Sequence, residues 1–478
     1  NALGANTTAS DNVAIGLNAL LINTEGHSNV AVGYSALSAN TSGTLNTAVG
    51  YASLDANTTG TSNTAVGRNS LGGNTSASNG TALGHNALIA NTTGTANTAV
   101  GAAALDANTE GYHNVALGFN ALTTNITGIQ NVAIGTDSLA NHTTNNTTAV
   151  GHDSLTTNTS GDNNTAFGYR ALTANTTADN NTAVGYDALD ANTTGASNVA
   201  VGSNALGANT TAANNVAVGN GALIVNTTGA SNTAVGTSAL AAATTASGNT
   251  AVGINAGDAI TTGYHNVALG SYALTTNIVG AQNVAIGYEA LFNNIANNIT
   301  AVGHDCLKAN TSGASNVGLG YQALLANTTG TLNTAVGFAS LDANTTGSSN
   351  TAFGRNSLGG NTTAGNNTAV GHNCLITNTT GAFNTAVGGS ALDATTTGSS
   401  NTAVGYDALG VNTEGSNNTA IGIASGHTVT TGGNNLLLGH DAGITGSPGG
   451  AVTTGNNQIC LGDENITNAH IQVDWTVA

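Results

Sequence analysis

The sequence predicts an all-β fold, a parallel β-solenoid (β-roll) of 17-residue coils, and three observations carry that prediction. The first is a repeat that runs from end to end. Asn46-Thr47-Ala48-Val49-Gly50, followed by Tyr51-Ala52-Ser53-Leu54-Asp55-Ala56-Asn57-Thr58-Thr59-Gly60, is a representative copy. Its closing glycine recurs from Gly16 to Gly439 over 25 intervals, all of 17 residues except two of 16, Gly135 to Gly151 and Gly287 to Gly303. Fixed periods near 20 residues mark solenoids, whose coils bury their apolar faces only by stacking. The second observation is that two short β-type phrases in 17 positions leave no room for a helix. The third is composition: 5% charged and 4% aromatic residues supply only a thin core per coil.

Taken in order, the coil begins with Thr-Ala-Val as a strand. Gly closes it, the Ala-Leu after Gly-x-x reads as a second strand, and Asn-Thr-Thr-Gly turns back. Gly and Asn are expected to supply positive φ at both corners, giving strand, turn, strand, turn. Coils stacked as parallel strands about 4.8 Å apart would make a rod of about 26 coils and about 125 Å. The Asn before Thr-Ala-Val-Gly and the Asn of Asn-Thr-Thr-Gly form columns suited to amide ladders. In Thr47-Ala48-Val49, Ala and Val point to opposite faces and both are apolar, so one face is core and the other asks for a partner. Symmetric self-association is the simplest source of that partner.

The regular shaft is expected over residues 1–439, an irregular final coil over 440–462 and a non-repeat cap over 463–478. The final coil carries the insertion Gly446-Ser447-Pro448-Gly449-Gly450 with the single Pro, and the cap carries the single Trp, Trp475. Above the coil there is block duplication: Gly111 to Leu155 returns at Gly263 to Leu307, a shift of 152 residues. Copying of blocks lengthens a rod without new chemistry. Asn1 aligns with Asn204 of a later coil, so more solenoid or another domain is expected upstream.

A formal net charge of −18 with four basic residues, Arg68, Arg170, Lys308 and Arg355, argues against nucleic-acid binding. No 18-residue apolar run is present, so no membrane insertion is expected. No signal peptide or initiator Met is visible. Phosphate-loop, metal, nucleophile-elbow and Cys-x-x-Cys motifs are missing, and no enzyme is expected. His152 with Asp153 and His304 with Asp305 resemble acid–base dyads, yet neighbours on a strand would face opposite ways. Cofactors are expected to be none; the Asp column of Asp55, Asp106, Asp190, Asp342 and Asp393 reads as solvated carboxylates, with Ca²⁺ as the alternative. Cys306 and Cys374 occupy a small slot before Leu and read as buried small hydrophobes, whereas Cys460 lies outside the regular array. The Asn-Thr-Thr sites match glycosylation acceptors, but the repeat itself explains them.

One column stands out, the position after the anchor glycine. It holds Tyr34, Tyr51, Arg68 and His85, then Tyr169 and Tyr186, then Tyr288, His304, Tyr321, Phe338, Arg355 and His372. Rings about 4.8 Å apart form a stripe, with a cation–π option at Phe338 and Arg355. Such a stripe could stack on sugars of a cell surface; alternatively the rings cover the coil edge or lock subunits together.

The phrase Asn-Val-Ala-Ile-Gly-x-x-Ala-Leu, at Asn12 to Leu20 and Asn283 to Leu291 and with Ser138 in place of Ala at Asn131 to Leu139, resembles the head repeats of trimeric autotransporter adhesins of the YadA-like type. The coils with Asn-Thr-Thr-Gly resemble bacteriophage tail-fibre proteins and related bacterial surface proteins. The resemblance covers about residues 1 to 462 and implies a left-handed coil and a homotrimeric fibre. The segment Asp463 to Ala478 is similar to the one that, in such fibres, precedes an endosialidase-type intramolecular chaperone. That similarity implies autocleavage with Ala478 as the mature C-terminus. The 17-residue period and the missing membrane anchor depart from the adhesin pattern and favour a virion fibre. The implied function is an extracellular tail fibre attaching to a host cell-surface glycan or receptor. The alternatives are a bacterial surface adhesin or structural filament, and an ice- or glycan-binding solenoid, the Thr pairs being expected at turns.

Overall fold

A computed structural model describes residues 1–447 and 449–468 and divides into two compact units, Asn1–Gly248 and Asn249–Ala478. The first holds fourteen three-residue strands, β1 (Val13–Ile15) to β14 (Thr233–Val235). The second holds thirteen, β15 (Thr250–Val252) to β27 (Ile459–Leu461). Within each unit successive strands pair in parallel at a register of one coil, as in Thr47↔Thr64, Ala48↔Ala65 and Val49↔Val66. The short coils shift the register without breaking it, giving Val132↔Thr148 and Val284↔Thr300. The last coil is longer but also in register, Leu436↔Ile459, because the extra residues around Gly446 leave the array and return to it. All-β parallel solenoid is therefore the observed fold. Ala478 and the greater part of the cap lie outside the described residues.

The anchor glycine is called position 0 of each coil, and the sixteen residues after it positions 1 to 16. It adopts a conformation that only glycine enters freely, as at Gly50 with φ +140. A Cβ there would also lie 2.4 Å from the carbonyl oxygen of Gly67 on the next coil. The other positive-φ positions differ from the expected ones. The glycine of Asn-Thr-Thr-Gly, position 10, is not left-handed; positions 2, 4 and 12 are, as at Ala52, Leu54 and Ser62. The left-handed leucine overturns the second strand: Ala-Leu forms a turn, and each coil carries one strand. Coil-to-coil hydrogen bonding persists through this turn, as Leu54 N–H donates to Ser70 O at 3.0 Å and Ala39 N–H to Asp55 O at 3.0 Å. Those bonds, together with complete burial of Leu54, hold the leucine against its own conformational preference.

The strand alanine at position 15, the leucine at position 4 and the small residue at position 3 form the core, fully buried as at Ala48, Leu54 and Ser53. Small position-3 hydroxyls and thiols can bond across the coil to its strand: Ser357 Oγ donates to Ala369 O at 2.9 Å, and Cys374 Sγ to Ala386 O at 3.2 Å. Cys460, expected outside the array, occupies position 15 of β27 opposite Leu437. Volume is balanced locally. Where Gly426 replaces the core leucine, Val429 replaces the amide at position 7, and Leu437 on the next strand reaches to within 2.5 Å of where a Cβ would stand.

Two columns of buried asparagine complete the interior. At position 7, Asn57 Nδ2 donates to Asn40 Oδ1 at 2.8 Å and to Gly60 O at 3.1 Å. At position 13, the Asn63 backbone N–H donates to Asn46 Oδ1 at 3.0 Å. These Nδ2 atoms are enclosed and engaged, so the Asn-Thr-Thr acceptors whose Asn is buried in the position-7 ladder are inaccessible in the folded chain, whereas Asn6 and Asn146 are exposed. The position-7 ladder is directional, each amide donating to the coil before it. A residue without that donor therefore orphans the preceding Oδ1, and Asn125, Asn226, Asn378 and Asn412 are orphaned before His142, Ala243, Thr395 and Val429. Thr395→Asn should restore a donor to Asn378 Oδ1 and raise stability by about 1 kcal/mol. Urea unfolding of the variant checks this, and an unchanged or lowered midpoint would refute it.

The third strand residue, position 16, points outward. It is Val, Ile, Leu or Phe in all 27 strands, and position 14 beside it is Thr, Val, Leu or Ile. Thr at position 14 thus lies on the flat strand face, whereas the Thr pairs lie in turns as expected.

Candidate surface-contact stripe

Position 1 follows the glycine bend and projects outward beside the position-16 column. The structure brings the expected side chains together in runs. Tyr34 and Tyr51 stack with centroids 5.1 Å apart and planes 7° apart. His152 stacks on Tyr169 at 5.7 Å, and Tyr169 on Tyr186 at 5.4 Å. The longest run is Tyr288–His304–Tyr321–Phe338, with spacings of 5.1, 5.5 and 5.2 Å. Phe338 is followed one coil on by Arg355 and then by His372, both exposed.

The stacking decides what the rings can do. Within a run each face lies against a neighbouring ring, so edges and hydroxyls face solvent. Runs end at Tyr51 and Phe338, where the next slot holds arginine. Stacking of a sugar along the whole stripe is not available to this geometry; polar contact along the ring edges is.

Beside the stripe, position 2 carries acidic residues that sequence reasoning placed wrongly. His152 Nδ1 lies 3.0 Å from Asp153 Oδ2 and His304 Nδ1 3.2 Å from Asp305 Oδ2. Strand alternation does not apply there, because Asp153 and Asp305 are left-handed turn residues at φ 56 and 57. Lys308 bridges Glu289 and Asp305, the latter at 3.1 Å. Arg170 reaches Asp187 at 3.7 Å and Asp190 at 3.6 Å.

Burial raises the carboxyl pKa of Asp55, Asp106, Asp190, Asp342 and Asp393, while backbone N–H groups partly counter it. Among the described residues no three His, Cys, Asp or Glu side chains are grouped to hold a metal ion. The Cys306 and Cys374 thiols are buried and pushed up to about 12, which keeps them protonated and unreactive near neutral pH. No helix among the described residues is long and apolar enough to cross a membrane.

One titratable group escaped the sequence reading. In the first short coil, His142 takes the amide's place at position 7, fully buried. Its Nδ1 lies 2.8 Å from Asn158 Nδ2 and its Nε2 3.2 Å from Asn131 Oδ1. An amide N–H donates and an amide oxygen accepts, so the ring is neutral with its proton on Nε2. The signal was a histidine interrupting an asparagine column in a short coil that also has Thr147 in place of the Asn before its strand.

The chain matches no protein-family model and shows no significant similarity to a curated protein.

Proposed function

We propose that the chain is the shaft of a homotrimeric extracellular fibre, a virion tail fibre that supplies reach and multivalent attachment to a host cell surface. The observation that supports it is the outward sheet face, apolar at position 16 in all 27 strands. Sheet positions that face water are ordinarily polar. A column without a charged residue over thirteen strands in one unit and fourteen in the other is a surface suited to being covered.

The covering surface has to repeat at the coil spacing to match it over such a length, and another copy of this chain does. A standard interface of about 800 Å² per partner, spread over the thirteen coils of the second unit, asks for only about 60 Å² from each. One aliphatic or phenylalanine side chain at position 16 and the Thr, Val, Leu or Ile at position 14 supply that in each coil. Threefold closure, in place of a pair, follows the resemblance to trimeric adhesin heads and tail fibres. Three parallel copies present three stripes, so weak contacts sum as avidity.

Light scattering tests this directly: three chains of 46.2 kDa should give a particle of about 139 kDa. Phe353→Asp with Val370→Asp should shift the mass toward 46.2 kDa while far-UV circular dichroism stays unchanged. A wild-type monomer would sink both the trimer and the covered face. A bacterial surface adhesin remains the rival reading, and the region upstream separates the two: a secretion signal in one, a virion-attachment domain in the other. An ice-binding reading has one supporting observation, six successive strand threonines from Thr334 to Thr419 on the flat face, and thermal hysteresis in solution would be its measurement.

A further inference from the structure

We propose that the stripe carries two equivalent sites for an anionic sugar, one in each unit, centred on Arg68 and Arg355. The proposal rests on the attachment reading above and names its ligand chemistry: an oligosaccharide bearing carboxylate or sulfate groups.

The four basic residues of the chain fall into two classes. Arg170 and Lys308 sit against pairs of carboxylates. Arg68 and Arg355 are exposed and form no ion pair among the described residues. In a chain of net charge −18, two exposed arginines without a carboxylate partner are the exception. Bidentate recognition of a planar anion is what a guanidinium does best.

Their surroundings are the same. Reading position 1 along consecutive coils gives Tyr34, Tyr51, Arg68 and His85 in the first unit, and Tyr321, Phe338, Arg355 and His372 in the second. The sets are 287 residues apart. Each arginine follows a stacked ring pair, Tyr34–Tyr51 at 5.1 Å and Tyr321–Phe338 at 5.2 Å.

Beside each arginine, position 2 holds an amide, Asn69 and Asn356, whereas a minority of coils hold an acid there, as at Asp153 and Asp305. Asn69 Nδ2 donates to Asn86 Oδ1 at 3.2 Å, and Asn356 Nδ2 to Asn373 Oδ1 at 3.1 Å. The Nδ2 groups of Asn86 and Asn373 remain available as donors for sugar hydroxyls. The constellation is thus a half-exposed aromatic ring, a guanidinium, an imidazole and an amide pair on adjoining coils. Those groups can take the apolar face, the anion and the hydroxyls of one acidic saccharide and its neighbour.

The test uses the whole chain and three probes: an oligogalacturonate carrying carboxylates only, a heparin hexasaccharide carrying sulfates as well, and neutral maltohexaose. Titration calorimetry should show wild type binding an acidic probe, weakening with added salt, and ignoring maltohexaose. Arg68→Gln with Arg355→Gln should lower that affinity roughly tenfold or more, whereas Arg170→Gln with Lys308→Gln should not. Oligogalacturonate binding would assign a carboxylate ligand; binding of heparin alone would assign a sulfate. Undiminished binding by the arginine variant, preference for maltohexaose, or binding of no probe would each overturn the site. Native mass in the same sample keeps the failures apart, since a trimer that binds no probe retains the fibre reading and loses only the anion site.

Discussion

Gly168→Ala should cost about 4 kcal/mol or more, combining left-handed strain with a backbone collision. Gly168 has φ +144, and a Cβ on it would stand 2.3 Å from the carbonyl oxygen of Gly185. That oxygen belongs to a backbone held by its own coil, so no side-chain rotation relieves the contact. Glycine occupies this position in every coil from Gly16 to Gly439. Position 10 offers the internal control. A Cβ on Gly161 would come 2.3 Å from Ala178 O, yet φ there is not left-handed, and Ala178 itself shows that the position accepts alanine. Gly161→Ala should therefore cost much less. Because each coil contacts only its neighbours, the damage in Gly168→Ala should be local. Proteolysis with a broad-specificity protease should open the first unit near residue 168 and leave the second intact. Equal urea midpoints for the two variants would refute the account.

The same comparison shows which parts of the fold were legible in the sequence. Period, strand and anchor glycine were readable because each is a residue type recurring at one spacing, and the parallel register follows from that spacing alone. The left-handed leucine was not readable. Leucine has no intrinsic preference for φ near +53, and at Leu37 the stacked coils impose that angle through hydrogen bonds on both sides. The same blindness hid the His152–Asp153 contact, since strand alternation was applied to a turn. The stripe was found by its column but not by its geometry. A column predicts that rings are neighbours, and whether their faces meet each other or solvent depends on side-chain torsions that no spacing encodes. Arg68 and Arg355 show the complementary case: their residue type was plain in the sequence, while the lack of a carboxylate beside them needed the structure.

Acid should weaken the first unit through His142. Burial drives its pKa from 6.5 down to about 4, while Asp162 and the Thr144 backbone act the other way without reversing it. The folded chain keeps the ring neutral, and the unfolded chain protonates it at an ordinary pH. The stability that depends on the neutral ring is thus whole above pH 6.5, drains as pH falls and is gone near pH 4. The loss amounts to roughly 3 kcal/mol at 1.4 kcal/mol per pH unit. Structurally, a proton on Nδ1 removes the acceptor for Asn158 Nδ2, and the ladder has no other residue at that level. The buried carboxyls run in the opposite sense. Asp55, Asp106 and Asp190 have raised folded values and gain stability as they protonate, so the wild-type curve alone mixes the two. His142→Asn separates them, because it returns an amide to the column and leaves every carboxyl in place. The urea midpoint of the variant should be modestly higher at pH 7.5, because the returned amide gives Asn125 Oδ1 a donor, and the gap should widen progressively toward pH 4. Parallel curves across that range would show that His142 keeps its proton balance on unfolding and that the short coil is not the acid-sensitive level of the unit.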